Sequence, residues 1–474
     1  MSTYDFENYD DDLEEPPHRR KNLDEELNKL KDRLKDGSSG ITNIEALEEI
    51  VNFYFENEKY EEALHFIDTL LTFIPYSADT WLRKGMILNN LQKYEDALGC
   101  YEKALGLNPV DAEVLVNKGI ALDNLNRHHE ALSCFDTALQ IDPNNEDALY
   151  NKGITLEKME ELEEAVKIFQ SILETVPDHK DAWYELGYCY DYLNKLEDSL
   201  RCYDEHISRD PYNYNAWYNR GIVLNRMGRY SNSIESYDMA LAIKEDFPAA
   251  WYNKGNAQAN MGRLYDAVNC YKQTLQYDPK DVPALHNMGN AYEELAQYEE
   301  AIKCFTKALA ADPKHYESYF GRGSCYDSLQ HYRKALRDYN KSLSLCRNYP
   351  ELWYAKADVL YNMGRLRDSV ICYRTVTKLD PQNHQAWYDC GETLYELGYY
   401  RQALKAFNRS IELNQSWADP FYSRAKVQFI LHQADEAIES LKKAFEIDPE
   451  KRKEFEKEFP DSKPVKELGN LSKT

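Results

Sequence analysis

Prolines recur every 34 residues along this chain. They stand at Pro75, Pro109, Pro143, Pro177 and Pro211, then at Pro279, Pro313, Pro381 and Pro449, with Glu245, Arg347 and Gln415 on the same grid. Numbering each of these positions 32 defines twelve units from Ile44 to Lys451, without insertion or deletion. A period of this length means that no unit buries its apolar face alone, so neighbours must stack into one elongated core. That reading displaces the about three globular domains that a chain of 474 residues would otherwise suggest.

Other positions obey the grid. Position 8 is Gly in nine units, position 20 is Ala or Ser in all twelve, and position 24 is Tyr or Phe in ten. Six of the seven Trp stand at position 4: Trp81, Trp183, Trp217, Trp251, Trp353 and Trp387. Positions 4, 8 and 11 share one helical face, as do 20, 24 and 27, so each unit holds two amphipathic helices, A and B. Small residues at 8 and 20 let A and B approach, and the large ones at 4 and 24 fill what remains. Gly228, Gly262, Gly364 and Gly398 fall between them, where a left-handed turn is expected. The proline ends helix B. Ser77, Asp111, Asn145, Asn213, Asp281 and Asn383 then offer N-caps for the next helix A.

Segments such as Ala148-Leu149-Tyr150-Asn151-Lys152-Gly153, followed by Ala165, Phe169 and Pro177, resemble the tetratricopeptide repeat. The resemblance covers residues 44–451 and implies an all-α fold: an α-solenoid, a right-handed superhelix of helix–turn–helix repeats with the A helices lining its concave face. Residues 1–43 read as an acidic, disordered tail with a short polar helix over Asn22 to Leu34, and 452–474 as a capping helix and tail. Phe455 and Phe459, four residues apart, would cover the last repeat.

The charge of −25 repels phosphate backbones and anionic lipid, which argues against nucleic acid and membrane partners. No apolar run reaches the length of a membrane span, and the N-terminus lacks the features of an export signal, so a cytoplasmic location is expected. Cys100, Cys134, Cys202, Cys270, Cys304 and Cys372 all occupy position 23, as small core residues. No C-x-x-C or H-E-x-x-H occurs, and no metal or cofactor is expected. His128-His129-Glu130 reads as an exposed turn, and Gly321-Arg322-Gly323 lies within a helix rather than in a phosphate loop. With no nucleophile–base pairing in view, the chain is not expected to be an enzyme.

In the tetratricopeptide family position 5 faces the groove. Here it supplies Tyr150, Tyr184, Tyr218, Tyr252, Tyr354, Tyr388 and Tyr422. Position 6 adds Asn117, Asn151, Asn219, Asn253 and Asn287, with Asn256, Asn260 and Asn290 nearby. An amide both donates and accepts, so a row of them suits an extended peptide backbone. Tyrosine offers apolar area with a polar tip. The row is similar to the asparagine ladder of some family members, including the arm of protein O-GlcNAc transferases. The family's carboxylate clamp for chaperone tails is missing, since no position 5 is Lys. Lys or Arg at position 7 in eight units is read as ion-pairing between helices.

These residues lead to the expectation of a non-catalytic scaffold or adaptor that holds an extended polypeptide in its groove, centred on units five to eight. The groove residues are Tyr150, Asn151, Tyr184, Tyr218, Asn219, Tyr252, Asn253, Asn256, Asn260, Asn287 and Asn290. The negative charge would steer in a protein or peptide segment of basic character. The alternative is a structural subunit assembling, with itself or others, through its convex face or its ends; the oligomeric state stays open.

Overall fold

The apolar grid folds into helices throughout a computed structural model that describes residues 40–458. The acidic tail, the helix expected at Asn22 to Leu34 and Phe459 lie outside the described residues. The chain divides after Met227 into two compact units. The first contains α1 (Gly40–Glu56), α2 (Tyr60–Phe73), α3 (Ala78–Asn90), α4 (Tyr94–Leu107), α5 (Ala112–Asn124), α6 (His128–Ile141), α7 (Glu146–Lys158), α8 (Leu162–Thr175), α9 (Lys180–Tyr192), α10 (Leu196–Arg209) and α11 (Tyr214–Arg226). The second contains α12 (Tyr230–Ile243), α13 (Pro248–Asn260), α14 (Leu264–Tyr277), α15 (Val282–Glu294), α16 (Tyr298–Ala311), α17 (Tyr316–Ser328), α18 (Tyr332–Leu345) and α19 (Pro350–Asn362). It continues through α20 (Leu366–Leu379), α21 (His384–Glu396), α22 (Tyr400–Leu413), α23 (Ala418–Ile430), α24 (Ala434–Ile447) and α25 (Glu450–Glu458). Odd-numbered helices up to α23 are the A helices of the repeats, and even-numbered ones the B helices. Within each unit every helix packs on its sequence neighbours, and most A helices of adjacent repeats also touch. This is the all-α stack of helix pairs that the repeats imply.

The small residues act where the grid places them. A Cβ on Gly323 would lie 2.5 Å from the Tyr339 ring, so that ring can enter the core only against a bare backbone. Where position 20 is serine it adds a bond: Ser199 Oγ donates to Gly187 O at 2.7 Å, and Ser369 Oγ to Ala357 O at 2.9 Å. Both hydroxyls are buried and satisfied, which is why serine can replace alanine there.

The turn between A and B has positive φ in all twelve repeats, at Gly228, Gly262, Gly364 and Gly398 and also at Glu58, Gln92, Asn126, Glu160, Asn194, Ala296, Gln330 and His432. Eight repeats thus hold a side chain in the left-handed region. The N-caps at Ser77, Asp111, Asn145, Asn213, Asp281 and Asn383 each accept from the backbone N–H three residues on. His179 and His315 do the same through Nδ1.

At the joint between repeats, each position-4 indole donates Nε1–H to the carbonyl six residues before it. Trp81 reaches Pro75 at 2.9 Å, Trp217 reaches Pro211 at 2.9 Å, and Trp353 reaches Arg347 at 2.8 Å. Lys84, Lys152 and Lys254 of position 7 pair with Asp68, Asp136 and Asp238 of the preceding B helix at 2.5–2.6 Å. Arg322 of α17 instead grips Asp338 on α18 of its own repeat with two bonds. Phe455 of α25 is buried beside Tyr422 and Phe445. All ten cysteines are free, and those at position 23 are buried except the half-buried Cys134. Among the described residues no helix is long and apolar enough to cross a membrane.

His128 departs from the exposed turn expected of it. Its Nδ1 lies 2.8 Å from Asp123 Oδ1, and Asp123 also accepts from Lys158 Nζ at 2.6 Å and Thr155 Oγ1 at 2.9 Å. Burial raises the Asp123 carboxyl pKa, but the bonds from Lys158, His128 and Thr155 outweigh it and leave the pKa lowered. His129 is exposed, as the turn reading has it.

Candidate functional site

Position 5 sits on helix A one turn before the glycine at position 8. Its ring therefore leans on the aromatic residue at position 24 of the same repeat. Ring centroids are 5.7 Å apart for Tyr184 and Tyr203, 6.1 Å for Tyr252 and Tyr271, and 5.6 Å for Tyr354 and Tyr373. The hydroxyl then extends to position 6 of the next repeat. In the first unit Tyr150 donates to Glu185 Oε1 at 3.2 Å, and Tyr184 accepts from Asn219 Nδ2 at 2.9 Å. In the second, Tyr252 accepts from Asn287 Nδ2 at 3.0 Å, and Tyr354 donates to Asp389. Tyr184 with Asn219 and Tyr252 with Asn287 thus join the tyrosine and asparagine positions by cross-repeat bonds, and each of the four rings stays half-exposed.

The amides differ in what they hold. Asn151 Nδ2 turns back to Asp147 O of its own helix at 2.8 Å. Asn256 Oδ1 accepts from both Asn287 at 2.9 Å and the Tyr271 hydroxyl at 2.8 Å. Asn290 Nδ2 meets His286 Nε2 at 3.1 Å. The structure thus brings Tyr252, Asn256 and Asn287 together and links Asn290 to His286. Asn260 is exposed at the end of α13, while Tyr218, Asn219 and Asn253 are half-buried.

Two sets of groups on this face were not read from the sequence. The first is the N-cap position, which supplies a second aromatic rank. His179 stacks on Tyr150 at 5.5 Å, Tyr349 meets Phe320 at 5.5 Å, and Trp417 meets Tyr388 at 4.6 Å. The second is a series of carboxyls at positions 6, 9 and 12 of the A helices. In the first unit Glu157 and Glu185 are both pushed above the ordinary range, by burial first and, for Glu157, by the facing charge of Glu185. In the second unit burial raises Asp358 to about 6, helped by Asp389 and Asp327 and opposed by a bond from the Tyr373 hydroxyl. Asp389 and Glu392 are raised by burial as well. Both series recur on the 34-residue grid, the aromatics at position 34 and the acids at positions 6, 9 and 12.

Such a face can hydrogen-bond a backbone, cover apolar side chains and attract cations. No cluster of three or more His, Cys, Asp or Glu is arranged for a metal ion among the described residues.

Family models agree with the repeats. Models described as tetratricopeptide repeat match residues 78–110, 125–186, 248–281, 282–315, 316–349, 354–416 and 418–451, and a TPR repeat model matches 223–262. Residues 196–227 match the protein prenyltransferase alpha subunit repeat. No curated protein matches the chain. Two solved structures are similar. One, described as "YrrB: a TPR protein with an unusual peptide-binding site", has 24% identity over 38% of this chain and 94% of its own, with a TM-score of 0.35. The other, the "APC/C hetero-tetramer Cut9-Hcn1", has 16% identity over 95% of this chain and 93% of its own, with a TM-score of 0.38. With matched repeats spread from residue 78 to 451 and helix pairs on the same grid, the chain belongs to the tetratricopeptide repeat family.

Proposed function

We propose that the chain is a non-catalytic protein–protein interaction scaffold that takes an extended polypeptide of basic character along the A-helix faces of its repeats. The observation that carries this reading is the company of half-exposed tyrosines with desolvated carboxyls at positions 6, 9 and 12. Raised carboxyl pKa values mean that the anionic form lacks sufficient cationic compensation, and an incoming Lys or Arg would supply it. Each unit carries its own stretch. In the first it is Tyr150, Asn151, Tyr184, Tyr218 and Asn219, with Glu157 and Glu185. In the second it is Tyr252, Asn253, Asn256, Asn260, Asn287 and Asn290, with Asp358, Asp389 and Glu392. Amides serve the backbone, and rings and acids the side chains.

The test is a native pull-down compared between wild type and the triple variant Asn219→Ala, Asn253→Ala, Asn287→Ala, with helicity checked by circular dichroism. Loss of co-purifying proteins supports the placement, and an unchanged set refutes it. A second reading, assembly through other surfaces, draws on Tyr76, Val110 and Tyr212, which share position 33 and are all exposed. Light scattering after size exclusion decides it, because a concentration-independent monomer removes self-association.

A further inference from the structure

Among the described residues two A helices begin from a histidine cap, α9 at His179 and α17 at His315, and at the joint between repeats eight and nine His315 also meets a second imidazole, His286. His315 caps α17, accepting from Ser318 N–H at Nδ1 over 3.2 Å. The Ser318 hydroxyl lies 2.9 Å from the same nitrogen and 3.1 Å from His286 Nδ1 on α15. Asn290 Nδ2, 3.1 Å from His286 Nε2, has only protons to offer. One proton arrangement satisfies the whole chain. Asn290 donates to His286 Nε2, His286 Nδ1–H donates to Ser318 Oγ, and Ser318 Oγ–H donates to His315 Nδ1. His315 Nε2–H is left facing Glu317, 3.6 Å away. Both imidazoles are neutral in this arrangement, and their centroids are 5.0 Å apart.

We infer that this joint is an acid-released catch, which holds α15 to the first turn of α17 while both imidazoles are neutral and lets go when either takes up a proton. A proton on His315 Nδ1 removes the acceptor that caps α17 and places a cation at a helix N-terminus, where the dipole disfavours it. A proton on His286 Nε2 turns two donors toward each other and sets a half-buried cation beside the second ring. The surroundings agree. Burial lowers the His286 pKa to about 4, the neighbouring His315 lowers it too, and Glu317 opposes both. The Phe305 ring of α16 lies 5.5 Å from His286, and the charged or titratable groups that act on it are His315 and Glu317. On its own helix Glu293 is raised by burial. A folded-state pKa below the ordinary imidazole value means that the unfolded form binds more protons, so the joint loses stability as pH falls from about 6.5 toward 4.

Hydrogen exchange on the full chain, expressed as protection factors at pH 7.5 and pH 5.0, tests this. The first turn of α17 is expected to lose about tenfold in protection at the lower pH, beyond any loss at the first turn of α21, which Asn383 caps. His315→Asn keeps a competent cap, leaves only His286 to take up a proton, and is expected to shrink that excess at least about threefold. Equal losses at α17 and α21, or an undiminished excess in His315→Asn, would overturn the inference. Should that variant lack wild-type helicity, His286→Phe replaces it, with the ring already present at Phe320 in the next repeat. The excess must then shrink at least about threefold, and an undiminished excess counts against the catch.

Discussion

The Tyr252 hydroxyl accepts a hydrogen bond from Asn287, a residue one repeat and one position further along the chain. A side chain that looks like a free groove ligand in the sequence is therefore also a fastener between repeats. Tyr252→Phe keeps the ring on Tyr271 and removes only this acceptor. We expect a loss of about 0.5–1.5 kcal/mol, read as faster hydrogen exchange in α13 and α15. Tyr101→Phe is the control. The Tyr101 hydroxyl is buried without a partner, so its removal is expected to be neutral or stabilising.

Glycines separate by what stands over them. Gly323→Ala drives a Cβ into the Tyr339 ring and is expected to cost about 1–3 kcal/mol. Gly99→Ala, in the middle of α4 with open space above it, is expected to stabilise by about 0.5–1 kcal/mol. Denaturation midpoints of the two variants should move in opposite directions.

Ala296 has φ +55 at the A–B turn, where four other repeats carry glycine. Ala296→Gly relieves a left-handed alanine, and local protection of α15 and α16 is expected to rise by about 1 kcal/mol. No gain, or a loss, would show that unfolded-chain entropy outweighs the relief.

Two acid sites pull stability in opposite directions with pH. Glu185 has a raised folded-state pKa, so the native state holds the extra proton and this joint weakens as pH rises above the ordinary glutamate range. Glu185→Gln is expected to stabilise the first unit at pH 8, by on the order of 1 kcal/mol, with little effect at pH 4. Asp123 has a lowered pKa, so its contribution is present above the ordinary aspartate value and is lost as pH falls through the folded-state pKa. Asp123→Asn should therefore destabilise at pH 7 and converge with wild type in acid. Urea midpoints across that range check both.

The helix pairs were legible because their determinants are one-dimensional: period, small residues at 8 and 20, and proline at 32. The positive φ at the A–B turn was legible only where glycine marks it. Glu160 and Ala296 share the conformation because the stacked helices on either side impose it, and tertiary packing has no local letter. The candidate face was half legible. Tyr184 and Asn219 were assigned to it separately, but a bond between residues 35 apart appears only once the stacking offset is known. The histidine cap at 315 was missed because cap reading looks for short oxygen-bearing side chains, and a neutral imidazole nitrogen accepts equally well.

The indole bonds described at the repeat joints have an optical consequence. Trp81, Trp183, Trp217, Trp251, Trp353 and Trp387 are each half-buried, and each is tied to the carbonyl of the turn entering its own repeat. Emission from such an indole shifts when that one turn admits water. The chain therefore carries six such lamps, each at its own joint, besides Trp417 at the cap of α23, while the joints entered by Leu115, Leu149, Leu285 and Tyr319 stay dark. A set of single-tryptophan chains would show the order in which the stack comes apart.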